Sequence, residues 1–579
     1  MRKTLLLVVV GLVFIFMAIV DFAWLGGMQA VQGAALLPEV ISGQVVDANG
    51  AVDGAIVQLK GTPYQQISAA DGTFTFSGLR GRLPLVATAW VEGYFIGFSN
   101  YEAGKTLTIT LKPLFEKDNL SYDWFEFEGV QASASCGLCH REYKEWQADA
   151  HSQAAVNPRF ISIYRGTDVN GNLSQPMRWG NDAVPLLPDP NLPYYGPGYR
   201  LDEPQRTGNC AVCHTPQASK ISNITNCAWS GCHTDLTAER SVQVDTGVLP
   251  LHLTGDAADG IGCDFCHKIG EVYLDPDTGL PYADKPGILS MRLYRPEEGQ
   301  QVFFGTLVDV NRRVSYLPLQ SESAYCAPCH YGVFGGVVGH NSVSGGVTIY
   351  NSFGEWLESP YSNPETGKTC QECHMPVLED VDYFVFPDKG GIKRSYANFH
   401  DHYMPGAADE RLLQNSVTLT ANAKPGAQGL DVRVGIVNDQ TGHHIPTDAP
   451  IRQMLLVVEA YDEAGNILAQ LSGPVLPEWT GNLAGFAGAY YAKLLRDEYS
   501  GEMPTAAYWR PVTIAEDTRL AALATDVTQY TFSLPSGAAA RVHVRLLFRR
   551  AFQELAELKG WEDPDILMEE TIIQVEASK

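Results

Sequence analysis

With 579 residues the chain is too long for one domain and is sized for three or four. A formal net charge of -25 and a pI of about 4.9 argue against nucleic acid or anionic lipid as partners, and fit a basic protein or a small molecule instead. At the N-terminus, Met1-Arg2-Lys3 precedes an apolar run from Leu5 to Val20 and a small-residue stretch ending near Gly33, Ala34 and Ala35. Residues 1–35 therefore read as a cleaved export signal or, with Phe22 to Leu25 added, as an uncleaved membrane anchor. On either reading the body of the protein is exported, to the periplasm, the cell surface or the medium.

Residues 38–114 contain neither cysteine nor histidine and break into short strand patterns: Gly43 to Asp47, Ala55 to Lys60, Thr73 to Phe76, Leu85 to Trp90 and Leu107 to Leu111. Asn49-Gly50, Asp71-Gly72 and Glu92-Gly93 punctuate them as turns, which predicts an all-β sandwich. The order ISGQVVDANG, GAIVQLKGT, DGTFTFSGL and a strand ending in EGY resembles the carboxypeptidase regulatory-like domain, which has a carbohydrate-binding-like fold. The resemblance implies a spacer or adhesion module that could contact polysaccharide.

Residues 115–410 hold all 12 cysteines. Ten of them form five copies of C-x-x-C-H: Cys136, Cys139, His140; Cys210, Cys213, His214; Cys263, Cys266, His267; Cys326, Cys329, His330; and Cys370, Cys373, His374. This spacing attaches c-type haem, because two thiols add to the two vinyl groups on one porphyrin edge while the next histidine lies under the iron as proximal ligand. Disulfides and zinc sites also use cysteine pairs, but neither requires a histidine directly after the second cysteine. Cys227, Cys232 and His233, in CAWSGCH, widen the spacing by two residues and leave a disulfide or zinc pair open as alternatives. The motif resembles the C-x-x-x-x-C-H sites of small tetrahaem cytochromes from sulfate reducers, and with it the expected total is six covalent haems c. The region is rich in Pro, Gly, Asn and Asp. It is expected to be a loop-rich, mainly helical domain whose fold depends on packing against haem.

Eight histidines remain after the six proximal ones are set aside. His151 ends CHREYKEWQADAH, which reads as a helix of three turns. His140 and His151 would share a face of it about 16 Å apart, too far to bind one iron, so His151 is expected to serve a different haem. His400 and His402, in FHDHYMPG, would point about 160° apart on a helix and so serve different haems. His252, His340 and His443 complete the candidate distal set, with His444 beside His443 as an alternative, while His543 alternates with Arg541 and Arg545 on the polar face of a strand. The pattern C-x-x-C-H-x-x-x-Y-x-x-W followed by a histidine, with GIGCDFCHK, TCQECHMP and FHDHYMPG, resembles the multihaem cytochrome c superfamily of the c-552/c-554 kind. That resemblance implies that His151 is a distal ligand and that FHDH supplies one or two more.

Residues 411–579 lack cysteine and return to strand patterns at Ser416 to Ala423, Leu430 to Asn438, Met454 to Asp462, Thr528 to Leu534 and Val542 to Phe548. They predict a C-terminal β-sandwich-like domain with a short helix around Arg549 to Leu558. The expected protein is thus multidomain, a multihaem segment between two β domains. The function expected is single-electron transfer along mostly bis-histidine haems, in anaerobic respiration or extracellular electron transfer, to a redox protein or a small or extracellular acceptor. Two other readings stand beside it: an oxidoreductase acting on a small nitrogen or sulfur compound at one open haem, and a homo-oligomeric haem filament.

Overall fold

The computed structural model describes residues 36–81, 85–181, 185–204, 208, 210–217, 255–311, 314–335, 337–338, 343–344 and 346–577. They divide into two compact units: residues up to Leu114 with Leu307–Tyr316, and Phe115–Thr306 with Leu317–Lys579.

The first unit contains two four-stranded sheets. Its strands are Val40–Asp47 (β1), Gly50–Ala51 (β2), Ile56–Leu59 (β3), Gln65–Ile67 (β4), Thr73–Ser77 (β5), Val86–Trp90 (β6), Gly97–Asn100 (β7) and Leu107–Thr110 (β8). In one sheet β1 pairs antiparallel with β2 and β5 and parallel with β8; the other runs β4-β3-β6-β7. Alternation in β1, β5 and β8 turns Ile41, Val45, Phe74, Phe76, Leu107 and Ile109 into one core with Val57, Leu59, Ala87 and Ala89. Gly43 is required where the chains crowd, because a Cβ there would stand 2.4 Å from Phe74 Cζ and 2.7 Å from Leu107 Cβ. Strand β6 does not alternate, since its second face is covered by the 307–316 excursion. The Trp90 indole donates to Ser315 Oγ (3.1 Å), and Ser315 Oγ donates to the Tyr94 carbonyl (2.8 Å).

The second unit carries the cysteine motifs and a C-terminal pair of sheets. The strands of the latter are Thr418–Pro425 (β9), Leu430–Val437 (β10), Gln453–Asp462 (β11), Gln470–Ser472 (β12), Gly488–Asp497 (β13), Val512–Asp517 (β14), Thr525–Phe532 (β15), Ala540–Arg549 (β16) and Ile566–Val575 (β17). One sheet runs β9-β10-β15-β12 and the other β14-β13-β11-β16-β17. Leu430, Val432, Val434 and Ile436 face Met454, Leu456, Val458 and the even-numbered residues from Val542 to Phe548 across the core. Strand β11 reads as a continuous apolar run because its other face is also covered: Leu455 and Val457 pack with Leu476, Leu483 and Leu547. The helix Gln553–Lys559 follows β16.

The central segment departs from the mainly helical domain expected. Among the described residues its helices are short, the longest being the eight residues Pro158–Arg165, and two-stranded ribbons lie between them. A C-x-x-C-H motif needs one helical turn, and the frequent Pro and Gly prevent propagation beyond it.

Candidate haem-binding site

One bond repeats at the motifs. The N–H of His140 donates to the Cys136 carbonyl (2.9 Å), His214 to Cys210 (2.9 Å), His267 to Cys263 (3.1 Å) and His330 to Cys326 (3.2 Å). This i to i+4 closure puts both thiols and the imidazole on one side of a single turn, which is why the spacing recurs. The turn Cys370–His374 has a capping box, with Thr369 and Glu372 satisfying each other's backbone N–H groups. Among the described residues no two motif cysteines form a disulfide.

The imidazoles share a second feature. Nδ1 of His214 faces the Ala154 carbonyl (2.9 Å), that of His267 the Phe304 carbonyl (2.6 Å), and that of His374 the Pro405 carbonyl (2.8 Å). The candidate distal residues match: His400 to Met375 O (2.6 Å), His402 to His400 O (3.1 Å), His443 to His444 O (2.9 Å) and His151 to Asp149 Oδ1 (2.7 Å). A protein acceptor at Nδ1 fixes the proton there and leaves the Nε2 lone pair outward, the tautomer a metal-binding histidine needs. His543 is the opposite case, with Nε2 against Glu570 Oε1 (2.6 Å).

Two ring pairs then meet. The centres of His151 and His330 are 6.2 Å apart, and those of His374 and His443 are 6.3 Å apart. Two imidazoles on opposite sides of one iron have ring centres about 6 Å apart, given metal–nitrogen bonds of about 2.0 Å and about 1.1 Å from nitrogen to ring centre. The residues present therefore fit haem with two axial histidines. No cluster of three or more His, Cys, Asp or Glu side chains that could hold a bare metal ion occurs among the described residues.

Protonation supports the fit for most of the set. Burial pushes His140, His374 and His402 down to about 4, with His267 adding to this for His140 and His402, and His443 for His374. Burial also lowers His214 and His267. These rings are neutral at neutral pH, as ligation requires. His330 differs: burial alone would lower it, but the nearby Asp448 carboxylate raises it to about 9.

The motifs are tied to one another. Cys263 N–H donates to Ser133 Oγ (2.9 Å), in the turn Ser133–Cys136. Tyr325 donates to the Cys266 carbonyl (2.6 Å), and Cys370 N–H donates to Ser323 Oγ (3.0 Å). Gly287 N–H, which packs against Val212 and Cys213, donates to the Pro328 carbonyl (2.7 Å). The turn at Cys326–His330 thus neighbours those at Cys263, Cys370 and Cys210.

The route by which His151 reaches its position corrects the three-turn helix expected from His140. The helix is Glu142–Ala148; Asp149 leaves it in an extended conformation, and its carboxylate accepts both the backbone N–H (2.9 Å) and Nδ1 of His151. His400 and His402 are likewise on a loop, bridged to Val377 at His400, and His402 N–H donates to Glu145 Oε2 (2.9 Å). His444 does not share the His443 position; its N–H donates to Glu355 Oε2 (3.2 Å). Cys227, Cys232, His233, His252 and His340, with the N-terminal segment 1–35, lie outside the described residues. Sequence reasoning missed the carboxylates Asp149, Glu355 and Asp448. Asp149 was visible two residues before His151, and Asp448 in HHIPTD, but neither had a spacing rule to mark it.

No protein-family model and no curated protein matches the chain. Among solved structures it is similar to a penta-haem cytochrome c552 from Thermochromatium tepidum, at 20% identity and a TM-score of 0.48, over 76% of this chain and 98% of that one. A PapD-like domain of human CEP192 matches 29% of this chain and 88% of its own length, at 7% identity and a TM-score of 0.13.

Proposed function

We propose that the chain is an exported multihaem c-type cytochrome that transfers single electrons. The observation that carries this reading is the pair of imidazole couples at 6.2 and 6.3 Å, each including the histidine of a C-x-x-C-H turn. When bound, haem supplies one-electron iron chemistry at potentials set by axial ligation, burial and nearby charge.

The chain's own residues do the rest. The cysteine pairs are the covalent anchors, and His140, His214, His233, His267, His330 and His374 the proximal ligands, six in all with CAWSGCH. His151 is the distal partner of His330 and His443 that of His374, with His402 a distal ligand of another haem. His252, His340 and His400 serve the remainder. The carbonyls and carboxylates at Nδ1 hold each ring in orientation and keep its proton away from the metal side. Close spacing of the turns suits electron movement between neighbours, and net acidity suits a basic or small-molecule redox partner. The N-terminal sandwich serves as a spacer, with polysaccharide contact as its adhesive role. An anaerobic respiratory or extracellular electron-transfer setting follows from bis-histidine ligation with acidic surroundings, both of which favour oxidised iron.

Haem counting by pyridine haemochrome with EPR of the oxidised protein tests the reading. Six low-spin haems are expected. A high-spin signal would replace it with an oxidoreductase acting at an open iron, and five haems would remove CAWSGCH from the set.

A further inference from the structure

The Nδ1 partners of the site histidines are not alike. At His214, His267, His374, His400, His402 and His443 the partner is a backbone carbonyl. At His151 it is the carboxylate of Asp149, itself 2% exposed, at 2.7 Å. At His330 the Asp448 carboxylate faces Nδ1 at 3.5 Å, with Ser352 Oγ also at 3.5 Å, whereas at His140 the nearest carboxylate, Glu142, stands farther off at 3.8 Å. His151 and His330 also form one of the two close ring pairs, with centres 6.2 Å apart. One coupled pair therefore has a carboxylate behind both imidazoles.

Each carboxylate is built in. Asp149 caps the end of the helix Glu142–Ala148 and accepts the His151 backbone N–H. Asp448 lies in the loop that follows β10 and has a positive φ of 58°, a conformation costly for an aspartate. It is held there by the backbone N–H groups of Asn351 and Ser352, both at 3.1 Å, and by Ser352 Oγ at 3.3 Å. The C-terminal β region thus supplies a charged group to a histidine of the central segment.

A carboxylate on Nδ1 makes an imidazole a stronger donor than a carbonyl does, because the N–H is polarised toward a full negative charge. Stronger donation stabilises the oxidised metal. We infer that Asp149 and Asp448 are positioning residues that jointly make the haem between His151 and His330 the lowest-potential centre among those held by the described histidines, at the turn that neighbours three others. The inference rests on the haem reading above. It assigns to Cys326–His330 the role of a junction from which electrons pass readily to its neighbours, and on which they do not accumulate.

The test is a spectroelectrochemical titration of the full haem-loaded protein against Asp149→Asn, Asp448→Asn and the double variant, with haem count and EPR recorded for each. The expected result is an unchanged haem count and, in both single variants, an upward shift of the same lowest midpoint, larger in the double variant, with the low-spin g-values of one haem altered. Asp448→Glu should restore the wild-type midpoint in part. Unshifted midpoints at full haem content would overturn the inference, as would shifts on two different haems. If Asp149→Asn loses a haem through its capping role, Asp448→Asn alone decides. A wild-type protein without covalent haem would overturn the underlying reading instead, and the haem count shows which has failed.

Discussion

The central segment and the C-terminal sandwich belong to one compact unit but are held together by different means. In the sandwich, β10, β11, β15 and β16 bring aliphatic faces together, and residues such as Val432, Leu456 and Val544 are almost wholly excluded from solvent. In the central segment an apolar cluster gathers Tyr122, Trp124, Val212, Phe265, Ile288 and Met291 around short helices, and Cys213, Cys266 and Cys329 sit at its edge. Such short helices do not stand on propagation energy, and their partners across the segment are individual side-chain to backbone bonds. The difference teaches that the sandwich is a fold of its own sequence, whereas the central segment, under the haem reading proposed above, would be completed by the planar apolar groups its motifs anchor.

Removing those groups gives the largest expected effect. In chain produced without haem attachment, limited proteolysis should cut between residues 115 and 410 at rates on the order of 100-fold above those of the loaded protein, while β9 to β17 stay protected. Equal protection of both regions would end the distinction. The contrast also explains what the sequence made legible. Alternation marked β10 and β16 because each has one buried face, and the cysteine motifs were readable because covalent chemistry dictates their spacing. Strands β13 and β17 escaped: GAYYAKLLRD mixes charge with apolar residues, and β17 is a border strand with alternate residues exposed. The helix through His151 was over-read since nothing in the spacing showed that Asp149 would bond to His151 and end it. Pairing of His151 with His330, and of His374 with His443, joins segments distant in sequence, which local patterns do not encode.

A medium effect is expected where the two regions join. Lys559, at the end of the helix after β16, is fully buried and donates to the carbonyls of Ser162 and Thr167, each at 3.1 Å, and Pro197 at 2.7 Å. Lys559→Met takes this donor from the Thr167 and Pro197 carbonyls, while the Ser162 carbonyl keeps the Gly166 and Thr167 N–H groups, and should cost about 3 kcal/mol in denaturant unfolding. Burial also pushes the Lys559 amine down to about 7, whereas in the unfolded chain it titrates near its ordinary value. Between those values the unfolded state binds the extra proton, so this group's contribution makes stability rise from about pH 7 to about pH 10 and level off above. Comparing wild type with Lys559→Met at pH 7.5 and 9.5 isolates it: the variant should lose that part of the slope. An identical slope in both would show that the buried amine is not the group that titrates.

The smallest effect is expected inside the central segment. Tyr325→Phe removes the 2.6 Å bond to the Cys266 carbonyl but keeps the ring in its apolar cluster beside Cys266 and Cys329. A single neutral hydrogen bond contributes about 1 kcal/mol net, so the unfolding free energy should fall by that amount and the denaturation midpoint by that amount divided by an unchanged slope. If bound haem ties neighbouring turns together, loss of one such bond leaves haem content and the EPR signals unaltered, and only amide exchange near Cys266 quickens. A loss of 3 kcal/mol or more, or of one haem, would show the opposite: that the hydrogen bonds between turns shape the segment and haem merely fills it. Tyr325 is the right place to ask, because its hydroxyl joins the turn at Cys326–His330 to the one at Cys263 without hydrogen-bonding a candidate ligand histidine or either carboxylate behind His151 and His330.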